Sequence, residues 1–288
     1  MTTLLAYPNV SEGRDAGVIK QIGEAFGHGL LDVHSDPDHH RTAYTLAGAP
    51  GELAAAVENG AAKAVELITL EGHEGIHPRV GSLDVAPVVY LELGDRGAAC
   101  AEALVLADLL GNALALPVFL YGELGGGRTR AQLRRGGPQE LARRMEVDEL
   151  RPDFGPPDLH PTAGATLVAA RPPLVAFNIE LAAPATLDDA RTIAAAIREG
   201  GPGGLPGVRA IGLWLSGPGV AQVSTNVEDH RVTPLAAVVA AVQTLAPVAG
   251  AELVGLAPRA ALTGFPERVP LRGRATIEDS LHRGVGTS

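Results

Sequence analysis

With 288 residues, 46% of them hydrophobic, the chain is long enough to bury one large core or two smaller ones. Its formal net charge is −10 and it has no stripe of Lys and Arg with interleaved aromatic residues, so we expect no nucleic-acid partner. Its single cysteine, Cys100, excludes an internal disulfide framework and a thiolate zinc cluster. The N-terminus lacks a basic segment before a long apolar run, and the stretch 238–248 is too short to span a bilayer, so we expect a cytoplasmic protein with no membrane partner.

The first half of the chain is predicted to have the element order β-α-β-β-α-β, which is that of the ferredoxin-like split βαβ fold. Apolar runs bounded by turn residues predict the strands, and amphipathic periodicity predicts the helices. The strands are expected at 4–7, 30–33, 41–46 and 83–91, and the helices at 11–26, capped by Ser11, and at 52–69. A helix (98–114), a strand (118–121), an Arg-rich surface region with short helices (125–151) and a strand (166–170) follow.

The second half repeats this element order without residue-level identity to the first. Strands are expected at 174–181, 208–215, 220–227 and 252–256, and helices at 188–199, 233–245 and 276–282. The sequence therefore predicts an α/β (α+β) fold of two ferredoxin-like βαββαβ subdomains, residues 1–173 and 174–288. Because ligands commonly bind between subdomains, we expect a ligand cleft between these two.

Two loops of the first half concentrate histidines and carboxylates. The first carries His34, Asp36, Asp38, His39 and His40, and the second carries His73, Glu74 and His77. Three interpretations stay open at this point: a metal site, solvated turn residues, or proton transfer by a histidine that titrates near neutrality. Gly72, Gly75 and Pro78 disfavour the helix that a zinc pair at His73 and His77 needs, so we expect no metal ion.

A Pro- and Gly-rich stretch, residues 153–164, leads directly into the strand at 166–170. It has no internal periodicity and is predicted to be an irregular loop. Its backbone amides suit a planar or anionic ligand, and the alternative is an ordinary crossover loop.

Nine motifs, spread in order along nearly the whole chain, together resemble the formiminotransferase family. They are PNVSEGR (8–14), RTAYTLAG (41–48), GIHPRVGSLDVAPVV (75–89), PVFLYGE (117–123), PDFGP (152–156), GAT (164–166), VAFNIEL (175–181), VAQVSTNVED (220–229) and LVGLAP (253–258). The resemblance implies two α/β subdomains with a folate cleft, a homodimer, and a transferase that moves a formimino group from formiminoglutamate to N5 of tetrahydrofolate. From its motifs we expect no fused cyclodeaminase domain in this chain, so that any later release of ammonia would need another protein.

The resemblance also assigns roles to individual residues. The catalytic histidine of the family's HPRMG-type motif corresponds to His77, which would shuttle a proton between the two substrates. Arg41 and Arg79 are candidates for bidentate contacts with the glutamate carboxylates, or for local salt bridges. The folate-binding loop corresponds to Gly155, Pro156, Pro157, Asp158, Leu159, His160, Pro161, Thr162, Ala163 and Gly164.

Three other functions remain open from the sequence. The first is a related folate-dependent enzyme on the same scaffold that takes a formyl donor or a different amino-acid acceptor. The second is a folate-binding or regulatory protein without catalysis, against which the retained His77-Pro78-Arg79 motif argues. The third, with the least support, is a metal-dependent hydrolase.

Overall fold

The computed structural model describes residues 2–285. The chain separates into two compact units, Met1–Pro172 and Pro173–Ser288, and each unit has a hydrophobic core of its own. Within the described residues, no helix combines the length and the apolar character that crossing a bilayer requires.

The first unit is built on a mixed sheet. Its strands are β1 (Leu4–Ala6), β2 (Asn9–Val10), β3 (Leu30–Asp36), β4 (Arg41–Gly48), β5 (Leu83–Tyr90), β6 (Val118–Leu120) and β7 (Thr166–Arg171). They run in the order β3-β4-(β1, β2)-β5-β7-β6. β1 and β2 each pair antiparallel with both β4 and β5, whereas β7 pairs parallel with β5 and β6. The helices are α1 (Ala16–Phe26), α2 (Leu53–Leu67), α3 (Arg96–Ala113), α4 (Arg130–Arg134) and α5 (Gly137–Glu146).

Both faces of this sheet are covered. Helices α1, α2 and α3 pack on one face, where the rings of Phe26 and Tyr44 lie 4.9 Å apart in a core of buried aliphatic side chains. Leu133 of α4 and Leu141 of α5 pack with Phe119 in a second, smaller cluster. The Arg-rich region therefore forms short helices, as predicted, and α4 lies against β5, the strand that follows the second histidine loop.

The second unit has an antiparallel sheet. Its elements are β8 (Val175–Leu181), α6 (Leu187–Ile197), β9 (Val208–Leu215), β10 (Val220–Val227), α7 (Leu235–Gln243), β11 (Val248–Leu253), β12 (Leu271–Arg272) and α8 (Ile277–Val285). The strands run in the order β11-β8-β10-β9, and β12 pairs in parallel with β11 at the edge. The predicted α/β fold of two βαββαβ units is confirmed by this element order and by that of the first unit.

Two predictions of local structure were wrong. Ser11 does not cap α1, which begins at Ala16 after Asp15, whose carboxylate accepts from the backbone N–H groups of Gly17 and Val18. The chain before Asp15 is not helical, and Gly13 packs so closely on the ends of β3 and β4 that a Cβ there would overlap the backbone of Asp36 and Arg41. Ser11 instead donates its hydroxyl to the carbonyl of Gly81, at 2.7 Å.

The last strand of the second repeat was predicted too late in the chain. It was expected at 252–256, whereas β11 begins at Val248 and ends at Leu253. The register against β8 shifts between Val248 and Gly250, and the Ala- and Gly-rich start of the strand shows little alternation of apolar and polar residues. The bulge hides the period of two that sequence analysis depends on.

Candidate active site

The loop between α2 and β5 carries His77 in an irregular backbone. Residues 68–82 are not helical, as Gly72, Gly75 and Pro78 predict, and the described residues contain no group of three or more His, Cys, Asp or Glu side chains that could hold a metal ion. His77 is half-buried, and its Nδ1 lies 2.8 Å from the carbonyl oxygen of Pro78. Since a carbonyl only accepts, neutral His77 carries its hydrogen on Nδ1, and Nε2 is the basic nitrogen.

Arg79 braces this loop from within. Its guanidinium donates to the carbonyl oxygens of Gly75 at 3.0 Å and His77 at 3.4 Å, and also to that of His73. One guanidinium thus bonds to three carbonyls of the same loop and holds the backbone that carries the His77 side chain.

A buried ion cluster lies directly under the loop. Asp84 of β5 is fully buried, and its Oδ2 accepts from Nη1 of Arg41 at 2.6 Å and from Nη2 of Arg134. Its Oδ1 accepts from the backbone N–H of Val80 at 2.8 Å. Nε of Arg41 donates to the side-chain oxygen of Asn9 at 3.0 Å, so β2, β4, β5 and α4 meet at one carboxylate.

These charges shift the acid–base properties of the site. Burial by itself would raise the pKa of Asp84, but Arg134 and Arg41 outweigh it and hold that pKa well below its usual range. Burial lowers the pKa of Arg41 to about 10, so Arg41 stays charged at neutral pH. Burial, followed by the positive charges of Arg41 and Arg134, holds the pKa of His77 well below the ordinary value for histidine.

The histidines of the two predicted loops form two close pairs, His39 with His77 and His40 with His73. The ring of His39 lies 6.0 Å from that of His77, and its buried Nε2 has no hydrogen-bond partner among the described residues. The rings of His40 and His73 stack at 4.2 Å. His40 accepts from the backbone N–H of Gly13 at 3.1 Å, and Nε2 of His73 donates to a backbone carbonyl at 2.8 Å.

The proposed folate loop, residues 155–164, is fastened to the His77 loop along its C-terminal half. The carbonyl of Thr162 accepts from the N–H of Leu70 at 2.9 Å, and that of Ala163 accepts from the N–H of Ser82 at 2.8 Å. His160 and Gly164 exchange two backbone hydrogen bonds of 3.0 Å, which close the end of the loop into a turn.

The loop residues differ in how much surface they present. Ala163 and Gly164 are buried, and Pro156, Leu159 and His160 are half-buried. Exposed residues are Gly155, Pro157, Asp158, Pro161 and Thr162. Gly155 and Gly164 have φ of +80° and +72°, and a Cβ at either would overlap a backbone carbonyl, so both glycines shape the loop.

Sequence reasoning missed two residues of this site, Asp84 and Arg134. Asp84 had a signal, because a lone carboxylate in the apolar run LDVAPVV must be paired if the strand is buried. Arg134 had none that distinguishes it from the other arginines of the region 125–151. Its partner lies 50 residues away and is apparent only from the tertiary structure.

Comparison with known families agrees with the resemblance carried by the motifs. A model of the N-terminal subdomain of the formiminotransferase domain matches residues 3–171, and a model of the formiminotransferase domain matches residues 176–267. The chain belongs to the formiminotransferase family. His77, Asp84, Arg134 and the loop 155–164 all lie within the first matched region.

Individual members of the formiminotransferase family are similar over most of this chain. Formimidoyltransferase-cyclodeaminase of Gallus gallus is 40% identical over 293 residues, covering 96% of this chain and 54% of that protein. Glutamate formimidoyltransferase of Streptococcus pyogenes serotype M1 is 34% identical over 272 residues, 90% of each chain. That of Thermoplasma acidophilum is 32% identical over 277 residues, 91% of this chain and 90% of the relative. The chain thus spans about half the length of the cyclodeaminase relatives it matches.

Proposed function

We propose that this chain transfers the formimino carbon of N-formimino-L-glutamate to N5 of tetrahydrofolate, its co-substrate, with His77 as the proton shuttle. The single observation that carries the proposal is the state of His77. Its Nδ1–H donates to the carbonyl of Pro78, so Nε2 is the proton acceptor, and burial followed by nearby positive charges favours the neutral ring. A neutral base is what the first step requires.

The proposed reaction needs one proton to move twice. N5 of tetrahydrofolate attacks the amidine carbon of the donor, a C–N bond forms, and Nε2 of His77 takes the N5 proton. The tetrahedral intermediate then breaks the bond between that carbon and the glutamate nitrogen, which receives the proton from His77. Glutamate leaves, formimino-tetrahydrofolate forms, and His77 returns to its neutral state.

Substrate binding is proposed for three parts of the first unit. The loop 155–164 would hold the pterin or its glutamyl tail, which is supported by its attachment to the His77 loop. Arg41 and Arg79 would contact the donor carboxylates; each guanidinium has N–H groups beyond those in the hydrogen bonds described above. Two substrates held together replace an encounter of free molecules and so lower the entropic barrier.

A side-by-side assay tests the proposed function. Purified protein is given tetrahydrofolate with N-formiminoglutamate or with N-formylglutamate, and formation of the N5-substituted folate is followed. Faster turnover of the formimino donor supports the proposal, and turnover of the formyl donor alone assigns the related formyltransferase instead. Folate binding without turnover of either donor would leave a binding protein and remove the catalytic role of His77.

We also propose that the chain works as a cytoplasmic homodimer. The outer side of α3 exposes Leu104 and Val105 at 38% and 51%, and a second copy would cover these apolar side chains. The Leu104→Glu variant is expected to be monomeric in light scattering at a concentration where the wild-type protein is dimeric. A monomeric wild-type protein would contradict the proposal.

A further inference from the structure

Arg134 is a buried cation that the proposed reaction does not use directly. It is the last residue of α4, its side chain is 10% exposed, and its guanidinium reaches the Asp84 carboxylate. Its Nε–H is buried without a hydrogen-bond partner among residues 2–285. Burying such a group costs free energy, and this N–H takes no part in fastening α4 to the sheet.

The charges around Asp84 do not balance. One oxygen of its carboxylate accepts from both Arg41 and Arg134, and the other accepts from the uncharged backbone N–H of Val80. Two guanidiniums and one carboxylate leave one positive charge in surplus. Arg79, within the His77 loop itself, adds a third guanidinium, and the hydrogen bonds described for it go to carbonyl groups.

We propose that Arg134, acting with Arg41 across the shared Asp84 carboxylate, keeps His77 neutral and makes protonated His77 a strong proton donor to the leaving nitrogen. The inference rests on the proposed proton shuttle and names Arg134 as the positioning residue that tunes it. The surplus charge disfavours a proton on Nε2 in the resting enzyme. It also shortens the life of the protonated ring, so the proton taken from N5 passes on to the departing glutamate.

Arg41, Arg134, Asp84 and His39, which lie on different elements of the first unit, act on the pKa of His77. Arg41 on β4 and Arg134 on α4 lower its pKa, as does His39 in the turn between β3 and β4, whereas Asp84 on β5 raises it. Burial acts in the same direction as the arginines and is the largest cause. Removal of Arg134 alone leaves Asp84 opposed by one guanidinium instead of two, so the pKa of His77 must rise.

The test is a titration of His77 itself, followed by NMR of histidine-labelled protein from about pH 4 to about pH 9. The His77 signal is the one absent from the spectrum of the His77→Gln variant. Arg134→Gln is expected to raise the His77 midpoint by about one pH unit or more. Arg134→Lys keeps the positive charge, so its His77 midpoint should lie close to that of the wild-type protein.

Arg135→Gln is the matched control, since Arg135 follows Arg134 in the chain but is 63% exposed and pairs with Glu149. It should leave the His77 midpoint unchanged. An unmoved midpoint in folded Arg134→Gln would overturn the inference. So would a wild-type midpoint at or above about 6.5, a result that requires no variant of Arg134 to fold.

Activity separates this inference from the proposed function. If His77→Ala abolishes turnover while the Arg134→Gln titration does not move, the shuttle stands and Arg134 is only structural. If the acid limb of the pH profile of kcat/KM moves in Arg134→Gln by the same amount as the NMR midpoint, the proton shuttle and the role of Arg134 are both supported. If His77→Ala turns over normally, the proposed function fails, whatever the titration shows.

Discussion

His40 and His73 stack face to face with their ring centroids 4.2 Å apart, and they join the two histidine loops of the first unit. The rings are inclined by only 22°, and each is anchored to the chain that precedes α1. Two imidazoles packed in this way are compatible with neutral rings and repel each other when both are protonated. We therefore expect the position of the His77 loop to be sensitive to acid.

We predict that acidification below neutrality destabilises the first unit through His73. Burial, then Arg79 and His40, lower the pKa of His73 to about 4, whereas its unfolded-state value is about 6.5. Between these values the unfolded chain binds more protons, so stability is complete above about pH 6.5 and is lost as the pH falls through about 4. Because His73 is partly exposed, we expect a loss of only about 1 kcal/mol.

The measurement is the urea midpoint as a function of pH for the wild-type protein and the His73→Gln variant. The variant should show a shallower fall between about pH 6.5 and about pH 4, since it has no proton to bind there. Parallel curves for the two proteins would show that His73 is not the titrating group.

Replacement of His77 by Ala should lower kcat at least about 100-fold, the loss expected when general acid–base catalysis is removed. Tetrahydrofolate binding and the melting temperature should change little, because the His77 ring is only half-buried and bonds to its own neighbour Pro78. The His73→Ala variant, altered in the same loop, should lose less in kcat. Equal losses in the two variants would indicate that the loop structure, and not the His77 imidazole, supports turnover.

Asp84→Asn should destabilise the protein by about 3 kcal/mol or more, because it leaves two buried guanidiniums without their counter-ion. The matched control is Asp148→Asn, which breaks an Arg151 pair whose side chains are 58% and 78% exposed. That change should cost far less, because water already screens this pair. Both values come from urea denaturation, and a small loss at Asp84 would mean that the arginines find other partners or leave the core.

The loop 155–164 is best tested where it is exposed. Thr162 is exposed, and its backbone carbonyl is bonded to the His77 loop. Thr162→Tyr adds a large side chain there and should weaken tetrahydrofolate binding at least about tenfold, which corresponds to about 1.4 kcal/mol. Its melting temperature should stay near that of the wild-type protein. Calorimetric titration with an unchanged Kd would exclude Thr162 from the folate site.

Gly164→Ala serves as the contrasting variant in the same loop. Gly164 has a φ of +72°, and a Cβ there would overlap the carbonyl of Val80, so this substitution should lower the melting temperature. A loss of folate affinity in Gly164→Ala could then follow from strain, whereas a loss in folded Thr162→Tyr reports on the binding surface.

The sequence by itself determined the element order, the family, and the loops that carry the candidate site. Alternation of apolar residues marked β9 and β10 with their observed bounds, and the HPR motif drew attention to His77. These features depend on short-range periods and on contiguous motifs, which a single chain displays directly. The N-cap at Asp15 was missed because Ser11 and Asp15 are both favourable N-cap residues, and the start of β11 was missed because a bulge interrupts the local pattern.

Only the tertiary structure decided which charges surround His77. Arg41 on β4, Asp84 on β5 and Arg134 on α4 are separated by 43 and 50 residues and meet because the sheet and the covering helix bring them together. A pKa depends on burial and on charges within a few ångströms, and neither quantity is encoded in the neighbours of His77 along the chain. The sequence therefore identified His77 as the candidate, whereas the fold determines the pKa of its imidazole.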